Sequence, residues 1–119
     1  MHTEKQMEKI VEQGRLFDFY GQLLTAHQQH IYRQLVHDDL SLIEIAEAEG
    51  ISKQAVHDLV RRCTALMQKY EKTLGMIGRF ERISEDVRRL DALAESGLDA
   101  YFLRRGIHDM ARQIKKDLD

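Results

Sequence analysis

A chain of 119 residues with 18 basic and 20 acidic side chains, a net charge of −2, has room for one modest core and no surplus of cations for sequence-blind binding to polyanions. It contains no Pro, seven Gly and a single cysteine, Cys63, so helix is favoured almost throughout, and counting alone excludes an intramolecular disulfide and a four-thiolate zinc site. No stretch approaches the roughly 20 apolar residues of a membrane span, and the opening MHTEKQMEKI is charged from its fourth residue, unlike a secretory leader; a soluble, cytoplasmic chain is expected.

Over residues 4–24 the apolar positions Met7, Ile10, Val11, Phe17, Tyr20 and Leu24 recur mostly at helical spacing and predict one amphipathic helix, weakened by Gly14 and Gly21. Thr25 then opens a capping box, T-A-H-Q, in which its hydroxyl accepts from the Gln28 backbone while the Gln28 side chain reaches back. The second helix should run to about His37 and bury Ile31, Leu35 and Tyr32. Asp38 and Asp39 break it, and Ser41 starts a second box, S-L-I-E, ending in Glu44.

The third helix is short, 42–49. Gly50 supplies the residue that tolerates positive φ after a helix, Ile51 is expected to fold beneath the turn as a buried plug, and Ser52 caps the next helix. Two short helices cross steeply only where the contact is small, the turn admits glycine and apolar residues fill the wedge. Ile45, Ala46, Gly50, Ile51, Val56 and Leu59 meet these demands in order, so residues 41–63 read as a helix-turn-helix; Glu49 is the misfit, standing where an apolar residue is usual. On the second helix of the pair Lys53, Gln54, His57, Asp58, Arg61 and Arg62 should point outward. Of these, Lys53, Gln54, His57, Arg61 and Arg62 are the candidate nucleic-acid contacts: Gln suits adenine, and Lys or Arg suits guanine or phosphate. Asp58 opposes the cations around it.

From Val56 the series Val56, Leu59, Cys63, Leu66, Tyr70 and Leu74 forms a seam close to a heptad, equally suited to a helix lying on its own domain and to a dimeric coil. Gly75 and Gly78 predict a break. Phe80, Ile83, Val87, Leu90 and Leu93 define a fifth helix, Ser96 and Gly97 a turn, and Leu98, Phe102, Ile107, Met110 and Ile114 one or two further helical pieces. Two regions follow: a helix-turn-helix domain at 1–78 and a C-terminal helical extension at 79–119. The extension balances nine cations, among them Arg88, Arg89, Arg104, Arg105 and Arg112, against nine acids, as solvated helix faces do.

Little in the chain suggests catalysis. His27 and His30 lie three apart near Asp38 and Asp39 but lack the convergent third and fourth ligands of a metal site. There is no glycine-rich phosphate loop and no nucleophile elbow. Cys63, inside the apolar seam, reads as a small buried hydrophobe. No enzyme activity, no cofactor and no metal are expected.

The blocks LFDFYGQLLT at 16–25, DDLSLIEIAEAEGISKQAV at 38–56 and KYEKTLGMIGRF at 69–80 together resemble the YlxM family in order and spacing. The resemblance implies a small bacterial helix-turn-helix protein similar to the promoter-reading fourth region of sigma factors, linked to the signal recognition particle pathway. Where the family commonly has Arg, Tyr and Asn, this chain has Lys53, His57 and Leu59; Lys53 keeps the charge without the bidentate fork. The expected fold is thus all-α: a sigma region 4-like helix-turn-helix bundle with a long fourth helix and a C-terminal extension. The expected function is that of a regulatory protein binding DNA or RNA weakly per module and pairing as a homodimer. The alternative is an adaptor that docks on the signal recognition particle GTPase or its RNA complex.

Overall fold

In the computed structural model, which describes residues 3–119, every regular element is helical. The order is α1 (Glu4–Tyr20), a single 3-10 turn (Gly21–Leu23), α2 (Ala26–Val36), α3 (Leu42–Glu49), α4 (Lys53–Leu74), α5 (Met76–Ala94) and α6 (Ala100–Leu118). The chain divides into two compact units, one ending at Gly75 and one spanning Met76–Asp119. The division falls at Gly75, whose φ of 62° ends α4, whereas Gly78 lies inside α5. Glycine at the left-handed position after a helix avoids the Cβ clash that other residues meet there.

Local signals set the helix ends in the first unit. Both capping boxes form: Thr25 Oγ1 accepts from the Gln28 N–H while Gln28 Oε1 accepts from the Thr25 N–H, and Ser41 and Glu44 exchange the same pair of bonds. A third box, Thr3 with Gln6, starts α1. Between α2 and α3, Asp39 takes a positive φ of 57°. Aspartate tolerates this region better than branched residues do, and the turn is closed by the Leu40 N–H donating to the Gln34 carbonyl.

The core of this unit is built from Leu16, Phe17, Tyr20 and Leu24, from Ile31 and Tyr32 of α2, from Ile45 and Ala46 of α3, and from Val56, Val60, Cys63 and Met67 of α4. Each large apolar side chain removed from water contributes on the order of 2 kcal/mol. The Phe17 ring stacks on Tyr32 at 5.4 Å between centroids, meets His37 edge-on, and lies under the Arg33 guanidinium. Tyr32 is fully enclosed and its hydroxyl pairs with Thr64 Oγ1 at 2.7 Å; Thr64 in turn donates to the Val60 carbonyl.

Three expectations about burial need correction. Met7 and Val11 are 58% and 67% exposed, because α1 turns Ile10, Gln13, Leu16, Phe17 and Tyr20 toward its neighbours and leaves Met7 and Val11 on its other side. Ile51 is 37% exposed rather than a buried plug: Ile45, Ala46 and Val56 already fill the wedge, and Ile51 serves the turn through its backbone N–H, which donates to the Ala46 carbonyl. On α4 the buried line is Val56, Val60, Cys63 and Met67, while Leu59, Leu66 and Tyr70 are half-buried and Leu74 is exposed. The helix packs against α1, α2 and α3 together, so its buried arc is turned from the line that repeats of three and four pick out. Of the expected seam, Val56 and Cys63 close on their own domain.

In the second unit α5 and α6 form a helical hairpin. Leu93 packs over Gly106, where an added Cβ would come within 2.6 Å of a Leu93 methyl. The carboxyls of Asp86 on α5 and Asp117 on α6 are paired electrostatically, the buried Asp86 Oδ2 has no hydrogen-bond partner among the described residues, and Arg82 Nε lies 3.8 Å from Asp117. Asp86 is the one buried residue of α5, and α6 has none.

Candidate nucleic-acid interface

The turn between α3 and α4 is fixed by backbone chemistry. Gly50 sits at φ 67° with its N–H on the Ala46 carbonyl, and Ser52 Oγ accepts from the Ala55 N–H to begin α4. With Val56 wholly buried beneath the crossing, the opposite side of α4 is turned to solvent. Lys53, Gln54, His57, Arg61 and Arg62 are all exposed there.

The structure gathers four of these five around Asp58. Gln54 Nε2 donates to Asp58 Oδ1 at 3.0 Å, His57 Nδ1 and Arg61 Nη2 lie 3.8 and 3.7 Å from the same oxygen, and Arg62 Nε donates to the Asp58 backbone carbonyl at 3.4 Å. Lys53 stands apart from that cluster. The exposed ion pairs are worth little as stabilisation. Their effect on the character of this face is larger, since the Gln54 amide is engaged by Asp58 and the local positive charge is partly cancelled.

One participant was missed from the sequence. A groove of about 380 Å³ runs between α1 and α4, and Lys9 of α1 lines it together with His57 and Arg61. Lys9 is far from the helix-turn-helix in sequence and carried no motif. Only the packing of α1 on α4 brings it to that rim, so no local signal marks it.

The misfit Glu49 also finds its explanation here. Gln34 Nε2 donates to Glu49 Oε1 at 2.7 Å, and His30 Nε2 lies 2.6 Å from the same oxygen. The Gln34 hydrogen bond, followed by that of His30, holds the Glu49 carboxyl below its ordinary range. An acid at the end of α3 thus clasps α2, where an apolar residue would only pack. His30 is engaged in this clasp, and among the described residues no group of three or more His, Cys, Asp or Glu converges as metal ligands do. Cys63 is buried in the core, and burial pushes its thiol up, away from the reactive thiolate.

A sequence profile of the UPF0122 family, described as "Putative helix-turn-helix protein, YlxM / p13 like", matches residues 7–99. The chain belongs to the UPF0122 family. The match reaches past the three blocks of the sequence resemblance and takes in all of α5. Among relatives, a UPF0122 protein of Symbiobacterium thermophilum is 46% identical over 90 residues, covering 76% of this chain and 81% of that one. UPF0122 protein YlxM of Bacillus subtilis is 39% identical over 88 residues, covering 74% and 80%. A UPF0122 protein of Clostridium acetobutylicum is 37% identical over 120 residues and covers 95% and 97%, so it spans the C-terminal hairpin as well. As a UPF0122 protein the chain is an all-α helix-turn-helix protein, and among the described residues no helix is long and apolar enough to cross a membrane.

Proposed function

We propose that this UPF0122 protein is a regulatory nucleic-acid-binding protein that lays the outward face of α4 on DNA or RNA. The observation that carries the reading is the exposed placement of Lys53, His57, Arg61 and Arg62 on one helix of a helix-turn-helix, with Lys9 of α1 on the same rim. A recognition helix in this setting reads base edges with its first residues and positions itself on phosphates with its cations. The balanced charge of the whole chain makes each module weak. A single module with about four phosphate contacts loses roughly a hundredfold in affinity between 50 and 200 mM salt. Fluorescence anisotropy with labelled duplexes across that range tests this, and absence of binding to DNA and RNA even at low salt overturns it.

Pairing belongs to the same proposal. Val87 of α5 and Tyr101, Phe102 and Ile107 of α6 are exposed in a hairpin with no buried apolar side chain. Two helices alone cannot shield such a surface, and a second hairpin completes a four-helix bundle. Two copies would double the phosphate contacts and raise affinity through effective concentration. Light scattering should give twice the chain mass, and Phe102→Asp should halve it; a monomeric native chain refutes the pairing.

Asp58 favours a second reading, in which the same surface docks on a protein of the signal recognition particle pathway. An acid at the centre of α4's outward face repels phosphate but suits a basic partner. Co-purification with the pathway's GTPase that survives Lys53→Glu would support it.

A further inference from the structure

We infer that the groove between α1 and α4 is a binding site for a small amphipathic anion, with an apolar body and one negatively charged head. Its apolar walls come from Ile10, Leu35, Leu42 and Val60, one from each of the four helices of the first unit. At about 380 Å³ the groove falls at the lower end of the range for small-molecule sites, and clefts between helices of a bundle are a usual place for them. Its floor includes a buried amide, Gln13, held by Thr64 Oγ1 at 3.5 Å. The wall nearest the interior is therefore anchored to the core.

Charge decides the class of ligand. Lys9, His57 and Arg61 line the groove, and no carboxylate does. Two acids flank it from outside: Asp58, 3.7 Å from Arg61 and 3.8 Å from His57, and Glu12, which accepts from the lining Gln68 amide at 3.2 Å, and Lys9 is bonded to neither. A neutral apolar molecule would fill the walls and leave the cations unused, and a cation would meet like charge at the rim. An anion of compact apolar body satisfies both. The site shares His57 and Arg61 with the proposed reading face but does not depend on the proposed function, because its apolar walls require no nucleic acid to form.

The test uses octanoate as the probe and 1-octanol as its neutral counterpart, titrated into the full-length, methyl-labelled protein and followed by NMR. Octanoate should shift the methyl signals of Ile10, Leu35, Leu42 and Val60 and bind about tenfold more tightly than octanol at low salt. Arg61→Gln and Lys9→Gln, both at exposed positions, should each reduce that preference while leaving octanol binding and the melting temperature in place. Equal affinity for the two probes, shifts confined to α5 and α6, or no groove shifts at millimolar octanoate would each overturn the inference. Nucleic-acid binding is not read in this experiment, so failure here and failure of the proposed function are seen separately.

Discussion

The Gln34 side-chain amide donates to Glu49 Oε1 across 2.7 Å, joining the last turn of α2 to the last residue of α3. Gln34 is itself buried, so its replacement removes a buried donor and leaves the Glu49 carboxylate held by His30 alone. Gln34→Ala should lower the stability measured by urea denaturation, because it removes a hydrogen bond to a charged group. Because Glu49 is held below its ordinary range in the folded protein, its contribution is present above the unfolded value and is lost as pH falls through the folded one. Stability of wild type should therefore decline on acidification more steeply than that of Glu49→Gln.

The hairpin of α5 and α6 should respond to pH through the coupled carboxyls of Asp86 and Asp117. Pairing with Asp117 and then burial raise the Asp86 carboxyl, while the same pairing lowers Asp117. The Asp86 contribution is fully present below its unfolded value and is lost as pH rises through its raised folded value; that of Asp117 is lost as pH falls through its lowered one. The hairpin is thus most stable between the two. Asp86→Asn keeps a donor toward Asp117 and should remove the loss on the alkaline side, read from α5 and α6 amide signals during thermal melts across the acid-to-neutral range.

Two glycines give opposite expectations for alanine. At Gly21 an added Cβ would lie 2.8 Å from the Phe17 ring, which is pinned by stacking on Tyr32; at Gly106 it meets the methyl ends of Leu93. Gly21→Ala should destabilise by about 2 kcal/mol through overpacking. Gly106→Ala should be close to neutral, since Leu93 can turn aside and a helix-interior alanine is favoured by about 1 kcal/mol. Thermal unfolding of the two variants distinguishes them.

Ile45 and Ile51 flank the turn but differ in depth. Ile45→Ala should cost about 3 kcal/mol as a core truncation, and Ile51→Ser well under half of that, because Ile51 is already in contact with water. Equal losses in denaturation would restore the buried-plug assignment.

Asp58 offers a gain rather than a loss. Asp58→Asn removes one repulsive charge and loosens its hold on Arg61 and Gln54. If nucleic acid lies on α4, affinity should rise about fivefold at low salt, the equivalent of roughly 1 kcal/mol, in the same anisotropy titration. A fall in affinity would place Asp58 among the contacts.

Much of the first unit was legible because its helix ends are written in short-range chemistry. The boxes at Thr25 and Ser41, the glycine stop at Gly50 and the cap at Ser52 each need only neighbours within four residues, and all formed. What the sequence misplaced depends on several helices at once. Val60 replaced Leu59 in the core because α4 faces three helices, Met7 and Val11 stayed in water because they lie on the side of α1 turned from the groove, and Lys9 reached the α4 face only through tertiary packing. The role of Glu49 was hidden for the same reason, since Gln34 and His30 lie on another helix.

Tyr32 has a use of its own. Enclosed by the core, chiefly through burial, its phenol is raised to about 12, so the native protein keeps this proton far into alkaline solution. Phenolate absorbance from Tyr32 at lower pH would mean that the first unit has opened. A chain without tryptophan thereby carries an internal optical gauge of unfolding, placed beneath the helices that form its proposed reading head.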